Sequence, residues 1–323
     1  MIQNNILECI GNTPIVRLNK IGQNFQHELL VKVEFFNPGS SIKDRIAKQM
    51  VEDALANGRL KKGGTIIECT SGNTGMGLAM VACVMGFKCI CVMPDKVSSE
   101  KIKILEAMGC KVVVTPTAVE PDDPRSYYSV AKKLAEETEN SFYVNQYHNP
   151  SNPKTHVLST GPEIYQQLGG ELDYLVVASG TGGTLCGTAK YLKEKIPHLK
   201  AICIDPIGSI YYDYFQTGEI PKIVTSYKVE GFGEDFMPGT IDFDLIDDVI
   251  QVSDKECFDM ARELAAKEGI FAGGSCGGAI AGGLKVAEKT EGKKRILMIL
   301  PDSGSRYISK FYDNDWLKEN GYL

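Results

Sequence analysis

Chemistry in this 323-residue chain is concentrated in glycine-rich corners and one lysine. The corner Gly180-Thr181-Gly182-Gly183-Thr184 presents several backbone N–H groups and two hydroxyls to one small anion. It opens an expected helix, Leu185–Lys195, whose N-terminus adds about 0.3–1 kcal/mol for an anion and up to about 2 where partly buried. Phosphate is its natural guest. A turn needing positive φ is the plainer explanation, yet three glycines in four residues exceed what one turn requires. The loop is not Gly-x-Gly-x-x-Gly, because Leu185 takes the last glycine place, and no Gly-Lys-Ser/Thr makes it a Walker loop. Dinucleotides and nucleoside triphosphates are therefore disfavoured.

Lys43 lies in Asn37-Pro38-Gly39-Ser40-Ser41-Ile42-Lys43-Asp44-Arg45, one step into a helix that begins at the serines. Most lysines are solvated surface groups, but a cation at a helix N-terminus is electrostatically misplaced, and the same field favours the neutral amine. A phosphate-shaped loop together with such a lysine suggests pyridoxal phosphate, held covalently by the amine and by its phosphate in the corner.

Three other corners compete for function. Thr70-Ser71-Gly72-Asn73-Thr74-Gly75 precedes an expected helix Met76–Val84 and offers outward N–H groups, hydroxyls and an amide, a receptor for a carboxylate. A capped helix start explains the same residues. Gly273-Gly274-Ser275-Cys276-Gly277 matches the Gly-x-Ser-x-Gly nucleophile elbow, but the triad histidine should follow that serine and the last histidine is His198. Ser275 then reads as a helix N-cap, a ligand contact, or both. Gly231-Phe232-Gly233-Glu234-Asp235 reads by default as a solvated surface turn.

The elements that must position these corners are short apolar runs alternating with amphipathic helices, the signature of mostly parallel sheets covered by helices. Expected strands are Leu29–Val33, Thr65–Glu68, Lys88–Met93, Lys111–Val114, Tyr174–Ala178, Ala201–Ile204, Asp248–Gln251 and Arg295–Leu300. Expected helices include Ser99–Met108, Ser129–Glu137, Asp254–Glu268 and Ala279–Lys289. Length allows about two domains, and the prolines of Asn149-Pro150-Ser151-Asn152-Pro153 mark a change of segment.

The net charge of −6 argues against a nucleic-acid partner bound through a basic face. No stretch reaches the roughly 20 apolar residues of a membrane span, and residues 1–8 lack a basic start, so a cytoplasmic location is expected. Ten cysteines without a C-x-x-C pair, most among apolar neighbours, read as small hydrophobes, and His27, His148, His156 and His198 lack ligand spacing. No metal is expected.

Five motifs occur in the order and spacing of the pyridoxal-phosphate β-replacement enzymes of fold type II: Ile10-Gly11-Asn12-Thr13-Pro14, Ser41-Ile42-Lys43-Asp44-Arg45, Thr70-Ser71-Gly72-Asn73-Thr74, Gly180-Thr181-Gly182-Gly183-Thr184 and Gly273-Gly274-Ser275. The chain resembles this family from Ile10 to about Trp316. Within it the chain is most similar to the cystathionine β-synthase catalytic core and somewhat less to cysteine synthases. Pointers to the former are Glu34-Phe35-Phe36-Asn37, Ser98-Ser99-Glu100-Lys101, Asn145-Gln146-Tyr147, Asp235 with its flanking glycines, and Leu300-Pro301-Asp302-Ser303. The chain starts almost at that core and stops after it, leaving neither a haem segment nor paired regulatory repeats expected.

The resemblance implies a tryptophan synthase β-like α/β fold of two domains, each with a central mostly parallel sheet flanked by helices. A larger cofactor domain would take 1–45 and 150–323, and a smaller mobile domain 46–149 would close over the substrate. Lys43 would hold the cofactor as a Schiff base and move the α-proton, Asn73 would meet its ring hydroxyl, Gly180 to Thr184 its phosphate and Ser275 its pyridine nitrogen. Thr70, Ser71, Gly72 and Thr74, with Gln146, Tyr147 and Gly231, would surround the substrate. Asp235, with Glu234 beside it, is a candidate for binding or activating the second substrate. A neutral hydroxyl at Ser275 makes the ring a weaker electron sink, which suits β-elimination to an α-aminoacrylate followed by addition. Cystathionine formation from serine or cysteine plus homocysteine, cysteine formation from O-acetylserine and sulfide, and conversion of cysteine to serine with water all fit. A non-catalytic amino-acid-binding relative is the reading from another class. Small amino acids are the expected partners, and a homodimer the expected state.

Overall fold

Residues 2–70, 72–95, 97, 99–116, 119 and 123–323 are described in the computed structural model, and the structural statements below concern them. The chain forms two units, residues 1–11 with 37–152 and residues 12–36 with 153–323. The larger unit begins with β1 (Ile15–Arg17) and β2 (Glu28–Val33). The chain then builds the smaller unit through α1 (Lys43–Ala56), β3 (Thr65–Cys69), α2 (Asn73–Met85), β4 (Lys88–Pro94), α3 (Ser99–Ala107), β5 (Lys111–Thr115), α4 (Tyr127–Glu137) and β6 (Ser141–Tyr143). Helix α5 (Ser151–Leu158) carries it back to the larger unit, which continues with α6 (Thr160–Gln167), β7 (Tyr174–Ala178), α7 (Gly183–Lys195), β8 (Lys200–Pro206) and α8 (Tyr211–Thr217). It ends with β9 (Asp248–Val252), α9 (Asp254–Glu268), α10 (Gly274–Lys289), β10 (Arg295–Leu300) and α11 (Asn314–Glu319).

The smaller unit's sheet is wholly parallel, in the order β5-β4-β3-β6. The larger has the order β1-β2-β10-β7-β8-β9 and is parallel except for β1 against β2. Burial on both faces explains the continuous apolar runs: every residue of β3 is buried, as are Ile296 to Leu300 of β10. In both sheets three successive strands step one way and the fourth returns beside the first. The order therefore reverses between β3 and β6 in one unit and between β7 and β10 in the other. Ligands of open parallel sheets bind at such reversals, beyond the carboxyl ends of the strands.

The unit boundaries differ from the expected ones. Residues 37–45 and 1–11 group with the smaller unit, because α1 packs along α2 and Gly77 of α2 lets the backbones meet. A Cβ at Gly77 would lie 2.8 Å from Ala47 Cβ and 3.2 Å from the Lys43 carbonyl oxygen. The chain crosses back at 152/153 within α5, not at 149/150. Pro153 sits in the first turn of α5, where its missing N–H has no intrahelical partner to lose. Among the described residues no helix is long and apolar enough to cross a membrane.

Candidate functional site

The lysine and the Thr70 to Gly75 corner belong to the smaller unit. Lys43 is the first residue of α1, half-buried, with its N–H donating to Ser41 Oγ at 3.3 Å. The corner after β3 lies at the reversal point, as does the segment after β6, and the two meet there. Thr74, buried in the first turn of α2, donates through Oγ1 to Gln146 Oε1 at 2.6 Å, and Gln146 is itself buried. Gln146 Nε2 donates to the Cys69 carbonyl at 3.5 Å, while Asn152 Nδ2 donates to the Gln146 carbonyl at 2.8 Å. Thr70 is buried, and its Oγ1 accepts from the Gly72 N–H at 3.0 Å. Gly72 holds φ at +140° and is the N-cap of α2, where no side chain caps the helix. The N-cap Gly72 has no side chain with which to cap α2, so among the described residues no N-cap side chain competes with an anion there. Half-buried Asn73 opens the helix, and half-buried Tyr147 packs edge-on to Tyr128 at 6.0 Å. Ser71 lies outside the described residues.

Beneath this loop is a residue whose role the sequence did not reveal. Glu68 of β3 is fully buried, and its carboxylate oxygens accept from the N–H groups of Asn145 at 2.7 Å and Gln146 at 3.2 Å. It thereby holds Asn145 in the left-handed region, φ +51°, and sets the turn that aims Gln146 at Thr74. Burial pushes Glu68 up to about 8 and outweighs the two backbone donors that favour its charged form. The folded chain thus retains a proton that the unfolded chain releases from its ordinary 4.5 upward, so this group lowers stability as pH rises from about 4.5 to about 8. Glu68→Gln should flatten that decline in urea midpoints measured from pH 5 to pH 8. An unchanged slope would mean that Glu68 is already ionised throughout.

The larger unit brings the other three corners together. The loop after β7 lies at the second reversal point, and Gly182, φ +80°, is the N-cap of α7, again without a side-chain cap. Helix α10 starts the same way at Gly273, whereas α9 carries a full Ser253–Glu256 capping box. A Cβ on Gly180 would lie 3.1 Å from the Gly231 carbonyl oxygen and 3.5 Å from Glu234 Oε1. A Cβ on Gly231, φ +95°, would lie 3.7 Å from Ser275 Oγ. The cradle is therefore formed partly by absent side chains. Gly182 could not carry one, since its Cβ would lie 2.5 Å from Ile241 Cβ. Thr181 is buried and its carbonyl accepts from Thr240 Oγ1 at 2.5 Å, while Gly183 N–H donates to Thr181 Oγ1 at 3.4 Å. Thr184 Oγ1 lies 3.2 Å from His156 Nε2, and His156 Nδ1 lies 2.8 Å from Thr160 Oγ1, so a buried histidine backs the loop.

Two expectations are corrected here. Ser275 is not the N-cap of α10: Gly273 is, and Ser275 lies one residue inside the first turn, buried beside Gly231. The Gly231 to Asp235 segment is not a fully solvated turn. Phe232 is 2% exposed in the core, and Gly233 donates to the Ser179 carbonyl at 2.9 Å. Asp235 itself is exposed and Glu234 half-buried, with its N–H donating to Ser209 Oγ at 3.0 Å. The nucleophile-elbow pattern also finds its explanation in packing. A Cβ at Gly273 would lie 2.0 Å from Asp302 Oδ1, and one at Gly277 would lie 1.9 Å from the Cys257 carbonyl oxygen.

Comparison with known proteins gives a consistent result. Residues 6–302 match the family described as pyridoxal-phosphate dependent enzyme. Cystathionine beta-synthase of Oryctolagus cuniculus is 48% identical over 98% of the chain and 58% of its own length. The chain spans about three-fifths of the length of the curated relatives it matches. The crystal structure of O-ureido-L-serine synthase superposes with a TM-score of 0.88 at 38% identity, covering 98% of this chain and 100% of that one. A hydrogen sulfide-producing enzyme from Fusobacterium nucleatum superposes at 0.86 with 36% identity, over 95% and 98%.

Proposed function

The chain belongs to the family of pyridoxal-phosphate dependent enzymes, and from that premise we propose that it performs β-replacement on a serine- or cysteine-type amino acid. Homocysteine is the second substrate, so that serine gives cystathionine and water, and cysteine gives cystathionine and hydrogen sulfide. The observation carrying this reading is the construction of both reversal-point loops, one a glycine-built cradle at the N-terminus of α7 and the other closed by the Thr74–Gln146 hydrogen bond.

The residues present suit the cofactor, because the Gly180 to Thr184 loop leads into α7 through an N-cap glycine without a side chain, with two threonine hydroxyls beside it. When bound, the cofactor supplies an aldehyde for the amino group and a conjugated ring that withdraws electrons from Cα. Lys43 anchors it and accepts, then returns, the α-proton at Nζ. Asn73 orients the ring, Gly180 to Thr184 bind the phosphate, and His156 fixes the Thr184 hydroxyl. Ser275 offers the ring nitrogen a neutral hydroxyl. Thr70, Ser71, Gly72 and Thr74 bind the substrate carboxylate, with Gln146 holding Thr74 in place and Tyr147 and Gly231 bordering the substrate. Movement of the smaller unit, residues 1–11 with 37–152, over the substrate excludes water, which would otherwise divert the reaction. Exposed Asp235 binds the ammonium group of the incoming amino acid. The family resemblance supports a homodimer, acting on small amino acids in the cytoplasm.

A second reading is favoured by coverage. The chain spans nearly the whole of the O-ureido-L-serine synthase and of the hydrogen sulfide-producing enzyme. On that reading a small nucleophile, sulfide or water, replaces homocysteine. Mass spectrometry of products from serine, cysteine or O-acetylserine, each with and without homocysteine or sulfide, separates the two. Cystathionine formation supports the first, and cysteine or serine formed alone, with homocysteine ignored, rejects it. Asp235→Asn should raise the KM for homocysteine by roughly 2- to 5-fold, as expected from losing one exposed charged contact, while KM for the first amino acid stays unchanged. Equal kinetics for both substrates would remove Asp235 from the site.

A further inference from the structure

The smaller unit contains a chemical group that this function leaves unused. Cys89 and Cys91 alternate onto one face of β4, and Cys110 immediately precedes the neighbouring strand β5. Their three Sγ atoms lie within 4.8 Å of one another, and all three residues are buried in one apolar core with Ile66, Met76 and Leu105. The spacing could not have announced the trio, because its third member precedes a different strand.

We propose that Cys89, Cys91 and Cys110 form a three-thiol binding site for trivalent arsenic, taken up as uncharged arsenous acid. Three features select this guest. Among the described residues the group includes no histidine or carboxylate, so zinc would need a water as its fourth ligand inside an apolar core. Ligands bonded at about 2.3 Å to one centre stand about 4 Å apart or less, and the trio needs only a small contraction to reach that. Burial then decides on charge. A cuprous tris-thiolate carries two negative charges and a zinc tris-thiolate one, whereas the arsenic tris-thiolate is neutral, and a buried uncompensated charge is costly.

The reaction balances without an oxidant. Arsenous acid and three thiols give one arsenic–sulfur bond per cysteine and release three waters, each arsenic-bound hydroxyl leaving with one thiol proton. Cys110 is poised to attack first. Hydrogen bonding within the trio holds the Cys110 thiol below its ordinary range and pushes the other two up, and Cys110 Sγ donates to the Lys111 carbonyl at 3.6 Å. It also directly follows the exposed turn at Gly109. The site lies under the substrate-side loop, since a Cβ on Gly75 would meet Cys91 Sγ at 3.0 Å and Thr70 Cγ2 at 2.8 Å.

Incubating the holoenzyme with sodium arsenite should give one adduct by native mass spectrometry, heavier by one arsenic less three hydrogens. Arsenic X-ray absorption of it should show three sulfur neighbours and no oxygen. Cys110→Ser and Cys89→Ser should each weaken binding by on the order of 10²-fold, the loss expected when a chelating arm is removed. Ser replacements at exposed Cys9 and Cys83 should leave it unchanged. Thermal melting checks that each variant is folded, and the absorption spectrum of the unmutated enzyme needs no variant. No adduct, an arsenic with oxygen neighbours, or folded Cys89→Ser and Cys110→Ser proteins that bind as tightly as the unmutated enzyme would overturn the proposal.

Discussion

Lys43→Ala should lower turnover by on the order of 10⁴-fold, the upper end of what one positioned proton carrier contributes, while leaving the fold intact. Lys43 is the first residue of α1 and only half-buried, and alanine is the better helix former, so the backbone has no reason to change. What disappears is the single amine that anchors the cofactor and moves the proton. Stopped assays, helix content by circular dichroism and the melting temperature should be read together. Lost activity with unaltered melting is the expected pattern. Partial recovery on adding a small primary amine would show that the missing group is the proton carrier. Turnover within about 10-fold of the unmutated enzyme would place the chemistry on another residue.

Gly277→Ala should be the most damaging of the single-methyl changes, although it touches no substrate. The added Cβ would lie 1.9 Å from the Cys257 carbonyl oxygen and 2.8 Å from the Ala261 nitrogen, both backbone atoms of α9. Neither can yield without moving α9 off α10, and those two helices make the most extensive helix–helix contact among the described residues. Overpacking of this kind costs about 1–3 kcal/mol and occasionally more. Because Ser275 lies on the same first turn of α10, the shift should also loosen its placement beside Gly231. A melting temperature lower by roughly 5 °C or more is expected, with weaker cofactor retention on dialysis. Gly292→Ala, where no atom lies within 4 Å of the new Cβ, supplies the comparison: any loss there comes from its positive φ of +71° alone. If Gly277→Ala melts with the unmutated protein, the tight α9–α10 approach is wrong.

The sheets were legible because parallel strands buried on both faces leave uninterrupted apolar runs, as in β3 and β10. Strands β1 and β6, three residues each, carry too little pattern to separate from loop. Helix α10 begins at Gly274 rather than Ala279 because its glycines, which punctuate turns elsewhere, serve here as close-packing positions. Among candidate site residues, the glycine and threonine corners were legible because anion binding by backbone N–H groups needs small residues in a row. Glu68, His156 and the Cys110 partnership were not, since each acquires its role from a segment distant in sequence. The unit boundary at 36/37 was missed for a related reason: α1 belongs where Gly77 lets it pack, and nothing in residues 37–45 themselves records that neighbour.

The central claim is that Nζ of Lys43 carries pyridoxal phosphate, and chemical trapping addresses it directly. Protein supplied with the cofactor, reduced with borohydride, digested and sequenced by mass spectrometry should carry the phosphopyridoxyl group on the peptide containing Ser41-Ile42-Lys43-Asp44-Arg45, at that lysine and in near-stoichiometric yield. The group found on another lysine, or no specific label at all, would contradict the account.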